Sequence, residues 1–308
     1  MDTSTEYNAE TLLKMPLEQL ISMANHTRNR HIGDKLELCS IINAKSGLCG
    51  EDCKFCAQSA KHGCNVPVYP LKDAKEIVKA AIQAQNIGAK RFGIVTSGNK
   101  LTDKDVKTIA KAITQIKKHT SLIVCGSLGA LEPQQLKLLA QAGLARYHHN
   151  IETSRRFYPQ IVSTHSFDDR ITTIKAAKQF GLELCSGGII GMGETWLDRI
   201  DMAITLKELN VDSVPINILV PIEGTAIKVD KPISPEDVIK TLAIFRIILK
   251  DKTIKIAAGR ESVLKETQLK AFLAGANGMI IGGYLTVKGN ELKSDYKLID
   301  NIKEQWKR

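Results

Sequence analysis

From Leu36 onward the chain alternates between two hydrophobic rhythms. Short runs rich in Ile, Val and Leu have the length and composition of buried strands. Each leads into a longer stretch with apolar residues three and four positions apart, the period of a helix with one buried face. The short runs lie at Leu36–Ile42, Arg91–Thr96, Ser121–Gly126, Ala145–His149, Leu182–Ser186, Ser213–Leu219, Thr253–Ala258 and Gly278–Ile281. Helical stretches fall between them at Asp73–Asn86, Asp103–His119, Pro133–Ala142, Asp168–Phe180, Trp196–Leu209, Pro235–Leu249 and Leu264–Ala274. Eight such alternations with short glycine-containing turns predict an α/β fold, a closed (β/α)8 TIM-type barrel rather than an open doubly wound sheet. The barrel spans 36–283 of a single domain. An N-terminal helical segment, 1–35, precedes it with Leu12, Leu13, Leu17, Leu20, Ile21 and Met23, and a polar C-terminal tail, 284–308, follows. No tandem repeat or low-complexity segment stands out.

Composition agrees with a one-domain barrel, since 308 residues with 43% hydrophobic content bury a sizeable core. The net charge of +10 raises the question of nucleic acid. The lysines, however, are spread through helical stretches such as Lys72–Lys79 and Lys104–Lys118, aromatics are 5% of the chain, and no basic stripe interleaves with them. These are solvated helix faces, so no nucleic-acid partner is expected. No stretch reaches membrane-spanning length, and the N-terminus lacks an apolar signal core. Seven cysteines without an export signal imply a reducing, cytoplasmic setting.

The chemistry is concentrated at Cys49-Gly-Glu-Asp-Cys53-Lys-Phe-Cys56, immediately after the first strand. Structural zinc takes four protein ligands, usually in separated pairs, whereas three thiols at this spacing suit an iron–sulfur cubane with three irons fixed and the fourth open. Barrel enzymes place their chemistry at the C-terminal ends of strands, where this loop stands. Cys125 and Cys185 lie within the third and fifth strands, Cys39 on the first and Arg260 at the end of the seventh. Either of Cys125 and Cys185 alone reads as a small apolar core residue. Thiols from several strands facing one lumen suggest a second metal site. His148, Asn150 and Glu152 fall on one side of the fourth strand's end and present polar groups to a ligand, and Asn217 lies within the sixth. The glycine-rich run Ser186-Gly-Gly-Ile-Ile-Gly-Met-Gly-Glu194 fails the GxGxxG spacing and reads as close backbone approach to a ligand.

Taken together, Asn43-Ala-Lys-Ser-Gly with CGEDCKFCAQS, then HNIETS, CSGGIIGMGET, SVPINILVPIEGT, AAGRE and GANGMIIGGYLT, resemble in their order the biotin synthases, a family of the radical S-adenosylmethionine superfamily. The resemblance covers most of the chain. It implies that Cys49, Cys53 and Cys56 hold a [4Fe-4S] cluster whose open iron chelates S-adenosylmethionine, and that a 5'-deoxyadenosyl radical abstracts hydrogen from dethiobiotin. Sulfur inserted from an auxiliary cluster then closes the ring of biotin. It also implies contacts to S-adenosylmethionine or substrate from Asn150 and Glu152, with Ile189 in the same cofactor site, Arg170 on the methionyl carboxylate, and Asn217 on the ureido group beside His148. Cys125, Cys185 and Arg260 match auxiliary-cluster ligands. A low-potential donor such as flavodoxin or ferredoxin and a homodimer are implied in the same way.

Two departures from the family pattern stand out. Relatives carry an auxiliary-cluster cysteine on the second strand where this chain has Gly93. Cys39, on the neighbouring first strand roughly 5 Å away, is the expected replacement, and moving a ligand between strands allows a cluster larger than [2Fe-2S]. The second departure is His148, where the family commonly has Asn. Two other readings stay open. One is a sibling radical enzyme of similar barrel, of hydrogenase-maturation or methylornithine-forming type. The other is a cluster-carrying scaffold without catalysis.

Overall fold

The computed structural model describes residues 9–283 and 291–307. The first eight residues of the N-terminal segment, 284–290 of the tail, with the end of the GANGMIIGGYLT motif, and residue 308 lie outside the described residues. The parallel strands are β1 (Glu37–Lys45), β2 (Arg91–Thr96), β3 (Ile123–Ser127), β4 (Arg146–His148), β5 (Glu183–Cys185), β6 (Gly188–Ile190), β7 (Ser213–Ile218), β8 (Thr253–Ile256) and β9 (Gly278–Ile280). Around them run α1 (Ala9–Lys14), α2 (Leu17–His31), α3 (Ala74–Asn86), α4 (Asp103–His119), α5 (Pro133–Ala142), α6 (Phe167–Gln179), α7 (Trp196–Glu208), α8 (Pro235–Leu249), α9 (Arg260–Val263), α10 (Gln268–Leu273) and α11 (Leu292–Trp306). Helix starts are set locally. Asp73, Thr102, Ser166, Thr195 and Ser234 each accept a backbone N–H of the first turn, satisfying donors that a helix leaves orphaned.

The sheet runs β5-β4-β3-β2-β1-β9-β8-β7-β6 and closes where Cys185 of β5 pairs with Ser213 of β7, giving the expected barrel. The fifth predicted strand, Leu182–Ser186, holds β5, and the glycine-rich run after it adds the unpredicted β6, so nine strands close as eight staves. The cause lies at the break. A Cβ on Gly187 would come within 1.9 Å of the Pro215 carbonyl oxygen, and one on Gly188 within 2.2 Å of the Glu152 carbonyl oxygen. These glycines let backbone meet backbone, which replaces the expected approach to a ligand.

The outer layer is apolar where it meets the sheet, with Ile109, Ile113 and Ile116 of α4 and Leu242, Ala243 and Phe245 of α8 fully buried. The polar tail is in its greater part the helix α11, which buries Asp295, Ile299 and Ile302 and sets Trp306 under Arg28, 4.1 Å from ring centroid to guanidinium carbon. Alternation along the strands turns Cys39, Ile41, Arg91, Gly93, Cys125, Arg146, His148, Cys185, Asn217 and Lys255 to one continuous lumen. No helix of the described residues is long and apolar enough to cross a membrane.

Candidate active site

At the C-terminal mouth of the barrel the cysteine loop is pinned from several sides. The Cys49 N–H donates to Gln58 O at 3.0 Å, and Lys54 N and O bridge Ile161 and Ile227 at 2.9 Å each. The Asp52 carboxylate accepts the N–H groups of Ser163 and Thr164 at 2.9 and 3.1 Å. This last contact brings His165 to the loop, its Nε2 3.9 Å from Cys53 Sγ and its Nδ1 3.0 Å from the Tyr158 hydroxyl. Arg170, on α6, donates to Tyr158 Oη at 2.8 Å and to the Asn150 carbonyl at 3.0 Å, and lies 3.9 Å from Glu152. The Asn150 amide donates to Glu152 Oε2 at 3.3 Å, while its Oδ1 accepts the Gly187 N–H at 3.1 Å. Glu152 holds φ +67°, a left-handed conformation that costs a side-chain-bearing residue on the order of 1 kcal/mol and recurs at functional sites.

Burial pushes the Cys53 thiol up to about 12, against the opposing pull of Arg170, and burial raises Cys56 as well. Thiols so buried ionise only where a metal or close cations compensate the charge. Four zinc–sulfur bonds of about 2.3 Å would hold ligand sulfurs within about 4 Å of one another. Among the described residues no three His, Cys, Asp or Glu side chains converge closely enough for a single ion. Cys49, Cys53 and Cys56 instead line one cavity together, an arrangement compatible with a polynuclear cluster. Among the described residues Glu51 Oε2 and Thr96 Oγ1 are buried without partners, and both residues line that cavity, so a bound molecule rich in donors fits it.

At the opposite, N-terminal end lies a floor of charge. The Glu37 carboxylate takes Arg91 at 2.6 Å, Arg146 at 2.9 Å and Lys255 at 2.8 Å, and Glu183 Oε2 takes Arg91 at 2.9 Å and Arg146 at 2.8 Å. Burial alone would raise Glu37; Lys255, Arg146 and Arg91 hold it well below the usual carboxylate range. Three thiols stand on this floor. Lys255 Nζ is 3.2 Å from Cys39 Sγ, and His148 Nδ1 is 3.3 Å from Cys185 Sγ. Burial raises Cys39 and takes Cys125 up to about 12. Cys185 differs, because Lys255, His148 and Arg146 together overcome its burial and bring it down to about 6.

The expected site residues therefore divide. Asn150, Glu152, Arg170, Ile189, His148 and Asn217 all line the cavity with the six cysteines. The Asn217 amide is already engaged, donating to Gly188 O at 3.3 Å and accepting the Ala258 N–H at 3.2 Å. The His148 imidazole meets Cys185. Arg260 does not join the cavity lining. Its guanidinium is buried outward against Asp295 and Gln268, each at 2.7 Å, because five residues separate it from the lumen-facing Lys255, an odd number that puts it on the opposite side of the wall. The lumen cation is Lys255, five residues earlier. Cys39 pairs in register with Arg91, whereas Gly93 pairs with Ile41 and Cys125, so Cys39 sits one layer nearer the floor than the missing cysteine would. Ile41 Cγ2 lies 3.0 Å from where a Cβ on Gly93 would stand, and it occupies that place. Lys255, Glu37, Arg91, Arg146 and His165 were missed. Four of them carry a signal, a charged residue at an inward parity of a buried strand.

The model of the Radical SAM superfamily matches residues 45–206, and that of the Biotin and Thiamin Synthesis associated domain matches 215–303, beginning inside β7. A biotin synthase of Thermotoga petrophila is 50% identical over 294 residues, 95% of this chain and 97% of that protein. The chain belongs to the biotin synthase family. Enzymes of this family use a [4Fe-4S] cluster, S-adenosylmethionine and an auxiliary iron–sulfur cluster. The fold is shared more widely. A methylornithine synthase superposes with a TM-score of 0.82 at 20% identity, over 96% of this chain and 91% of that one. A FeFe-hydrogenase maturase of Carboxydothermus hydrogenoformans gives 0.80 at 17%, over 95% and 73%. The sibling activities thus share the barrel, while the likeness in sequence is to biotin synthases.

Proposed function

We propose that this chain converts dethiobiotin to biotin by radical S-adenosylmethionine-dependent sulfur insertion, with two iron–sulfur sites at the two ends of one lumen. The observation that carries this reading is the pair of thiol sets, Cys49, Cys53 and Cys56 at the mouth and Cys39, Cys125 and Cys185 on the floor, lining a single cavity. The mouth thiols would hold the [4Fe-4S] cluster, which when bound supplies the electron that cleaves the sulfonium bond of S-adenosylmethionine.

The remaining work belongs to the chain's own side chains. Arg170 pairs two-pronged with a carboxylate, and Asn150, Glu152 and Ile189 shape the cofactor's place beside it. Asn217, fixed by Gly188 and Ala258, keeps one N–H and one lone pair for a cyclic urea. The lumen wall around Ile189, Pro215 and Ala257 excludes water from the reacting carbon. On the floor, Cys39, Cys125 and Cys185 would hold the auxiliary cluster, with Lys255 in the role expected of Arg260. A low-potential donor such as flavodoxin or ferredoxin, a homodimeric assembly and a cytoplasmic setting belong to the same reading.

The test is anaerobic turnover of reconstituted protein with dethiobiotin, measuring biotin and 5'-deoxyadenosine together with iron and sulfide per chain. Biotin formation with iron at two sites is expected. Formation of 5'-deoxyadenosine with no biotin would turn the reading toward another radical reaction, and absence of both would leave a cluster-carrying scaffold.

A further inference from the structure

The floor of the barrel has features that holding a cluster does not require. Three cations, Arg91, Arg146 and Lys255, face two carboxylates, Glu37 and Glu183. Arg91 is buried, 8% exposed, and its Nη1 has no partner among the described residues although Arg91 lines the lumen. A guanidinium N–H left unpaired in a buried, cation-rich place is a seat for an anion. Glu183 closes the ring differently from the others. One oxygen of its carboxylate accepts from both Arg91 and Arg146, yet its side chain is 43% exposed, while those of Arg91 and Arg146 are 10% and 4% exposed. Beside it at the strand starts, Ile123 is 40% exposed. From this rim the first thiol is one strand layer away, because Cys125 follows Ile123 by two residues on β3 and pairs in register with Arg146.

We propose that this end of the barrel is an intake site for hydrosulfide, where Glu183 is a displaceable anion that holds Arg91 and Arg146 until a sulfur anion takes its place. The inference rests on the assignment of Cys39, Cys125 and Cys185 to an auxiliary cluster. It adds where sulfur lost from that cluster returns. The mouth is committed to cofactor and substrate, so an entrance at the floor lets the two ends of the lumen work without crossing. Hydrosulfide already carries sulfur at the oxidation level of sulfide, so its binding needs neither oxidant nor reductant, and the one proton it sheds on becoming a cluster sulfide leaves to solvent past the exposed Glu183 carboxylate. A small monoanion suits the seat, since it satisfies the Arg91 N–H that Glu183 leaves unpaired and takes over the negative charge that Glu183 supplies to Arg91 and Arg146.

The experiment takes reconstituted full-length enzyme through one turnover, then supplies ferrous iron and sodium sulfide enriched in a heavy isotope. Acid-labile sulfide per chain is followed against sulfide concentration, and the isotope is read in the next biotin formed. Arg91→Met is expected to raise the half-saturating sulfide about tenfold, the scale of one charge-assisted hydrogen bond. Glu183→Gln is expected to lower it, by withdrawing the competing carboxylate. Glu183→Gln alters an exposed side chain, so it keeps the test alive should Arg91→Met fold poorly. Unchanged sulfide dependence in Glu183→Gln, with reloading complete, overturns the proposal. Cys39→Ala and Cys125→Ala separate that failure from one lying deeper. If both bind as much iron and sulfide as the unmutated chain, the auxiliary-site assignment falls and the intake site with it. If both lose sulfide while Glu183→Gln reloads like the unmutated chain, only the intake site falls.

Discussion

The two ends of the lumen hold the same number of thiols in opposite ways. At the mouth, Cys49, Cys53 and Cys56 stand on one loop, pinned by Asp52 and Gln58 and overlooked by Arg170. On the floor, Cys39, Cys125 and Cys185 arrive on three strands, set by register, above a network that includes Arg91, Arg146 and Lys255. A loop gathers ligands by spacing and leaves one side open for an exchangeable partner. A barrel wall gathers them by closure and surrounds them with fixed charge. The first arrangement suits a site that must admit a cofactor, and the second suits one that must keep, release and recover a sulfur anion.

The sharpest way to break this contrast is to remove one thiol from each end. Cys53→Ala is expected to bring both 5'-deoxyadenosine and biotin to background. Cys39→Ala should keep 5'-deoxyadenosine formation while biotin falls roughly 100-fold or more, beyond what losing a supporting group of a metal site usually costs. Product analysis of the two reconstituted variants decides it, and equal loss of both products in Cys39→Ala would mean that the two ends do not act separately.

The hinge between the ends is Gly187, where β5 of the floor gives way to β6 of the mouth. In Gly187→Ala a methyl group would meet the Pro215 carbonyl oxygen, a backbone atom that cannot swing aside. The expected loss is at least about 3 kcal/mol, the upper end of overpacking costs, with a fall of several degrees in Tm. An unchanged denaturation midpoint would show that the break between β5 and β6 is pliable.

Arg170→Ala tests the open side of the mouth. Loss of a charged hydrogen-bond donor costs about 1.5–3 kcal/mol, so KM for S-adenosylmethionine should rise roughly 10- to 150-fold with iron content unchanged. A parallel loss of iron would assign Arg170 to building the loop through Tyr158 and His165 instead of binding the cofactor.

Most of the mouth was legible in the sequence because its signals are local. Cysteine spacing, the strand before it and the polar run His148 to Glu152 need no knowledge of which strand neighbours which. The barrel was legible because eight alternations repeat one rhythm. The floor was legible only in part, since it is assembled by register. Cys39 was found as a thiol on the right strand, but its layer, level with Arg91 and below Gly93, follows from pairing alone. Arg260 misled because it closes the same segment as Lys255, yet it lies five residues on, an odd number that alternation sends to the outer face. The glycines at 187 and 188 pointed to a close approach, but whether the neighbour is ligand or backbone depends on β7 and on Glu152, which the local sequence does not contain.

The finest distinction lies among the floor thiols themselves. Cys185 is held at about 6 while Cys125, in the same wall, is pushed to about 12, so between these values the metal-free chain carries a thiolate at one position and a thiol at the other. Alkylation with iodoacetamide, followed residue by residue with mass spectrometry, should therefore label Cys185 before Cys125 at pH 7, with a Cys185 rate that falls as pH drops through about 6. Replacing His148 by Asn removes one of the partners that favour the thiolate, so the midpoint should move upward, by roughly one unit. Lys255 and Arg146 remain in place, which is why the shift is small. If the midpoint stays where it was, the cations alone set the thiolate, and His148 is returned to the substrate side of the lumen, where the sequence first placed it.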